Sequence, residues 1–229
     1  MQDHYVADIG DYIKYALLRA LAPAAPGPLG VAWYVGPGGD THNGEHRAYL
    51  DKPGDWRRYD PALFDALRAL PERSIRAVER SGILPTGTVF AGEPLPADKD
   101  ERTACCGRVQ EAFEACGWVF ADPDVGLAGK TALATRSQKH VPLDEALALA
   151  AGRPMVVYHH NGQHKPHPAQ IKDWLAQMSP DSRALYARPW KPRTFFLLNM
   201  TPGIATAVHA FAALWKDKVD WVAPCTSAS

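Results

Sequence analysis

Four short apolar runs constrain this chain more than any other feature: LGVAWYV from Leu29, WVFAD from Trp118, PMVVYHH from Pro154 and TFFLLNM from Thr194. Each spans five to seven residues, is rich in branched or aromatic side chains and lies between glycine, proline or polar punctuation. Such runs read as strands buried on both faces, because a strand covered on one side only alternates apolar with polar residues. Helical patterns fill the intervals. Ile13, Leu17 and Leu21 recur every four residues behind Asp8, a residue type that caps helix starts. Further helices are predicted near Pro61 to Leu70, Ser74 to Ser81, Arg102 to Cys116, Val141 to Ala151, His167 to Met178 and along GIATAVHAFAALW. Short strands are expected at TVFAG and VDWVA.

Alternation of this kind predicts an α/β fold: a three-layer, Rossmann-like, mostly parallel sheet with helices on both faces. The 229 residues suit a single domain, with a helical insertion after the first strand at about residues 41–100. In an open sheet of this type, ligands bind beyond the carboxyl ends of the strands. The sequences following the strong strands, GPGGD, DPD, HHNGQH and NMTPG, are therefore expected to share one rim.

Charge narrows the function. With 25 basic and 25 acidic residues the net charge is zero, which argues against coating nucleic acid by bulk electrostatics. The distribution is uneven: from Val125 to Arg193 there are 10 Lys and Arg against 4 acids, with five histidines besides. A solvated face accounts for that, and so does a surface for a phosphate-bearing substrate. No apolar run approaches the roughly 20 residues of a membrane span, and the amino-terminal stretch has no signal-peptide pattern. A cytoplasmic protein with no membrane partner is the expectation. Cys105, Cys106, Cys116 and Cys225 lack the paired spacing of a zinc site and imply no disulfide framework.

Several stretches are candidates for chemistry. YVGPGGD, with Gly36, Gly38, Gly39 and Asp40, follows the first strand, where glycines let backbone approach a nucleotide and a carboxylate can accept from ribose hydroxyls or an amino group. A plain Gly-Pro turn is the simpler account of the glycines. At the end of WVFAD, Pro123 directs the chain out of the sheet, so that Asp122 and Asp124 can accept from an amino group or ligate a metal. Ordinary turn chemistry also explains two aspartates around a proline. The stretch from Tyr158 to His167 packs four histidines into ten residues. The spacing admits zinc ligands, but catalytic zinc pairs usually sit on a helix; His159 or His160 as a general base or hydrogen-bond donor is the stronger expectation. Lys139, His140, Lys191 and Arg193 are candidates for phosphate contacts. Walker loops, Gly-x-Ser-x-Gly elbows and Cys/His nucleophile pairs are absent from the sequence.

The order of these motifs resembles a family. VADIGDYIKYALLRAL, with Asp11 and Lys14, is similar to the amino-terminal helix motif of the ribosomal RNA adenine-N6 methyltransferases. In that family a strand and glycine turn follow, then a helical insertion, then a strand ending in Asp-Pro-Pro-Tyr. This chain shows the same succession through YVGPGGD, FADPD and VVYHH, with Asp124 in place of the second proline and Val125 in place of the aromatic. The resemblance implies S-adenosylmethionine bound near Lys14, Gly36, Gly38, Gly39 and Asp40. It also implies a target amino group held at Asp122 and Pro123, with Tyr158 as a substitute stacking residue and a nucleic-acid base or related small molecule as acceptor. Two rival expectations stand beside it. One is a metal-dependent nuclease or phosphoesterase with a divalent metal on Asp122, Asp124 and His159, and Lys139 near the phosphate. The other is a non-catalytic binding module in a defence or processing complex.

Overall fold

A computed structural model describes residues 2–36, 46–129 and 138–222. Gly38, Gly39, Asp40 and Cys225 lie outside the described residues.

In chain order the elements are α1 (Ile9–Leu21), β1 (Leu29–Ala32), α2 (Pro53–Trp56), α3 (Pro61–Arg68), α4 (Ile75–Arg80), β2 (Val89–Ala91), α5 (Lys99–Ala112) and β3 (Trp118–Ala121). There follow β4 (Gly126–Ala128), β5 (His140–Pro142), α6 (Leu143–Ala150), β6 (Met155–His160), α7 (His167–Leu175), β7 (Arg183–Ala187), β8 (Arg193–Leu198), α8 (Pro202–Leu214) and β9 (Val219–Val222). Seven strands form one sheet in the order β2-β1-β3-β6-β8-β7-β9, and β4 pairs with β5 separately. The pairings from β2 through β1 and β3 to β6 are parallel; β8 is antiparallel to both its neighbours, and β9 is antiparallel to β7. This is the expected α/β, Rossmann-like architecture. Among the described residues, the stretch between β1 and β2 holds α2, α3 and α4 with two short 3-10 turns.

The sheet divides two apolar cores by the two-residue period of its strands. Trp118 and Phe120 of β3, Val156 of β6, and Phe195 and Leu197 of β8 join one core, with α1, α3 and α8. Val119 and Ala121, Met155 and Val157, and Phe196 and Leu198 join the other, with α6 and α7. That parity decides which polar residues at the strand ends meet α1.

α1 is buried along nearly its whole length and packs against α3 and α8. An all-round buried helix needs its first turn satisfied from outside the helix. Asp8 does this, its Oδ1 accepting from the Asp11 N–H at 2.9 Å, while Asp11 Oδ2 reaches back to accept from the Ala7 N–H at 3.0 Å. No helix among the described residues is long and apolar enough to cross a membrane.

One expectation about the rim is overturned. Because β8 runs against its neighbours, Asn199 and the NMTPG sequence lie at the amino edge of the parallel strands, where Asn199 Nδ2 donates to the Arg153 carbonyl just before β6 at 3.0 Å. The start of β8 takes the vacated place at the carboxyl edge: Arg193 pairs in register with His160, and Thr194 with His159.

Candidate functional site

A cavity of about 190 Å³ opens beyond the carboxyl ends of β3 and β6, under the first turns of α1. Tyr5, Asp8, Gly10, Asp11 and Lys14 line it from the amino-terminal side. Asp122, Pro123, Asp124 and Val125 line it from the turn after β3, Tyr158 and His160 from β6, and Lys191 and Arg193 from the start of β8. Segments far apart in the chain thus converge where an open α/β sheet places its ligand.

Lys14 is the hub. Its ammonium is 2.6 Å from Asp122 Oδ2 and 2.8 Å from Asp11 Oδ1, and all three side chains are at most 5% exposed. The rings of Tyr15, Phe120 and Tyr158 surround the ammonium at 5.2, 5.9 and 5.8 Å, within the range of cation–π attraction. Burial disfavours the charge on Lys14, but the two carboxylates outweigh it and raise its pKa above the usual lysine value. Burial raises Asp11, with the Lys14 charge acting against it. Asp122 is fixed from its backbone as well, its N–H donating to the Ala32 carbonyl of β1 at 2.9 Å. Asp124, one step further along the turn, accepts from the side chain of Gln2.

Parity separates the two adjacent histidines. His160 shares the α1 side of the sheet with Tyr158 and lines the cavity. His159 points to the opposite face, against Trp174 and Phe196, and is not among the cavity residues. Its Nδ1 accepts from the Leu127 N–H at 3.1 Å, and burial lowers its pKa to about 3, so the ring is neutral and inside the fold. The expectation of His159 as a base or ligand on the rim is therefore corrected: it joins β6 to β4. Gly126, at φ +123°, makes that approach possible, since a Cβ there would lie 2.5 Å from His159 Nδ1.

The other sequence candidates scatter. Gly36 stands at the carboxyl end of β1 against Gln138 and Lys139, outside the cavity. The Lys139 carbonyl accepts from the Val125 N–H at 2.8 Å, which places Lys139 beside the turn after β3 but not among the lining residues. Asp122, Asp124 and His159 do not converge, and no three His, Cys, Asp or Glu side chains among the described residues are grouped to hold a metal ion. Sequence reasoning missed the roles of Tyr5 and Gly10 at this cavity. Their signal was weak, because both precede or open a helix whose capping accounts for the local pattern.

No family model matches the chain, and no curated protein matches it. A solved structure of protein LPL1258 from Legionella pneumophila, described with the family model DUF519, superposes at a TM-score of 0.46 with 9% identity, covering 94% of this chain and 96% of that one.

Proposed function

We propose that the chain is a methyltransferase-like enzyme that moves a methyl group from S-adenosylmethionine to an amino group of a nucleic-acid base or related small molecule. The reading is carried by the buried ion pair between Lys14 and Asp122. These two residues, 108 positions apart and singled out by separate motifs, meet at 2.6 Å on the wall of the cavity.

The lining suits the groups involved. Lys14 balances Asp122 and Arg193 lies near Asp8, so the feature of the lining that favours a cationic sulfonium or ammonium group is the pair of rings, Tyr5 and Tyr158, with the Asp124 carboxylate beside them. A cavity of about 190 Å³ is smaller than the roughly 300–1,000 Å³ of a site enclosing a whole small molecule. Its lining residues would hold the reacting ends, and Gly36, beyond the neighbouring end of β1, is the described residue of the glycine turn that would serve the remainder of the cofactor.

S-adenosylmethionine, when bound, supplies the methyl group and leaves as the neutral thioether. The chain's part is alignment, which methyl transfer needs more than acid–base power. Lys14 holds the Asp122 carboxylate in one orientation through a charge-assisted bond. Asp122 would accept a hydrogen bond from the acceptor's amino N–H, with Tyr158 offering a ring beside it, and the proton that the methylated nitrogen sheds would pass to water.

Transfer of labelled methyl to single-stranded nucleic acid and to free nucleotides tests the reading. The Asp122→Asn variant is expected to lose on the order of 100-fold in rate, the typical effect of misaligning a reacting group. Transfer undiminished by Asp122→Asn in a folded protein would overturn it.

A further inference from the structure

Arg193 is not explained by the ion pair at Lys14. It is 3% exposed, yet its Nε and Nη1 have no hydrogen-bond partner among the described residues. Among the described residues its carboxylate contact is a loose one, Nη2 to Asp8 Oδ2 at 3.8 Å, and the Tyr158 hydroxyl is its other side-chain partner. A buried guanidinium with open donors is costly unless something accepts from it. Strand parity turns it to the α1 side with Phe195 and Leu197, and it lines the cavity.

The position is held rigidly. Arg193 sits at the first residue of β8, in register with His160, and the next residue, Thr194, is locked to Asn161 across the two strands by a hydrogen bond of 2.9 Å. Gly10 leaves room for the guanidinium: a Cβ there would lie 2.4 Å from Nη1 and 2.6 Å from Cζ. Lys191 and His160 flank it on the same cavity wall, and of the cavity's acids Asp11 and Asp122 face Lys14 while Asp124 faces Gln2. Asp8 remains beside it, with its Oδ1 engaged in capping α1.

Sheet order separates this site from Gly36. β1, with Gly36 beyond its end, lies on one side of β3, whereas β6 and then β8 lie on the other. Arg193 thus stands two strands away from β3 and its Asp122, on the side away from Gly36.

We propose that Arg193, flanked by Lys191 and His160, forms an oxyanion subsite that takes a phosphate of the methyl acceptor. Planar donors on a guanidinium match phosphate oxygens in pairs, which a point charge does not. The subsite rests on the methyltransferase reading only for which ligand carries the phosphate. A mononucleotide and a nucleic-acid strand share that chemistry.

The test uses the full chain and inorganic phosphate as the first probe, against chloride at equal ionic strength. Phosphate should raise the melting temperature of the wild type, and Arg193→Gln should abolish that rise. No rise in the wild type, or a rise retained in folded Arg193→Gln, overturns the proposal. Should Arg193→Gln fail to fold, Lys191→Ala, at a half-buried lining residue, serves instead: its phosphate affinity should fall about threefold, a fraction of the tenfold that 1.4 kcal/mol represents, and unchanged affinity overturns the proposal. Titration with 5′-AMP and with a short single-stranded RNA then separates the sources, since the true one binds more tightly than its partner and is displaced by phosphate. If neither nucleotide form is displaced by phosphate, the subsite is overturned. Titration with S-adenosylmethionine reads the other question: phosphate binding without it leaves the subsite standing and the methyltransferase reading fallen, and the reverse result does the opposite.

Discussion

Lys14 Nζ stands 2.6 Å from Asp122 Oδ2, so the first long helix of the chain is bolted to the turn that follows β3. The link is made with almost no access to water, and Asp11 at 2.8 Å gives the ammonium a second carboxylate. Removing the cation leaves two buried acids without it. Lys14→Met is therefore expected to destabilise the fold by about 3–5 kcal/mol, the usual cost of breaking a buried pair. Adding Asp122→Asn to Lys14→Met should recover part of that loss, as one uncompensated charge disappears. Urea unfolding of the two single variants and the double variant measures the coupling; additive losses would show that the pair is not a unit.

His159 makes a prediction for acid. Its ordinary value of 6.5 falls to about 3 in the fold, chiefly through burial. Between those values the unfolded chain binds a proton that the folded chain does not, so stability rises with pH there and is lost as pH drops below 6.5. One such group contributes a slope of about 1.4 kcal/mol per pH unit. His140 and His160 are also lowered by burial and act in the same direction, so the informative quantity is the difference between wild type and His159→Asn. That difference should shrink steadily from pH 6.5 towards acid; a constant difference contradicts the neutral, buried assignment.

Gly126 tests the same contact from the other side. At φ +123°, with a Cβ position 2.7 Å from His159 Cα as well as 2.5 Å from its Nδ1, Gly126→Ala meets both backbone strain and a clash. A loss of at least about 2 kcal/mol is expected, read by thermal or urea unfolding. Gly129→Ala, where a Cβ would meet nothing within 4 Å, should change little and serves as the control.

Much of this architecture is legible in the sequence. The apolar runs around β1, β3, β6 and β8, the Asp8 cap and the Asp122 turn follow from burial, capping and proline geometry, which act locally. Strand direction does not. An apolar run such as TFFLLN carries no mark of which way it points, so the antiparallel setting of β8 moved NMTPG to the far edge and brought Arg193 to the cavity. Parity was equally hidden: His159 and His160 differ only in which face of the sheet each meets, and the side on which α1 packs is a tertiary fact. β7, written RALYA between turns, is too short and mixed to stand out from its neighbours, and its place beside β8 became visible only through pairing.

The central claim is that the cavity between Lys14, Asp122 and Tyr158 receives the methyl donor, and calorimetric titration of the full chain with S-adenosylmethionine measures it most directly. Saturable binding at one site, weakened about tenfold or more, equivalent to 1.4 kcal/mol, in a folded Lys14→Gln variant, is the predicted result. Absence of binding in the wild type, or binding indifferent to Lys14, would contradict the account.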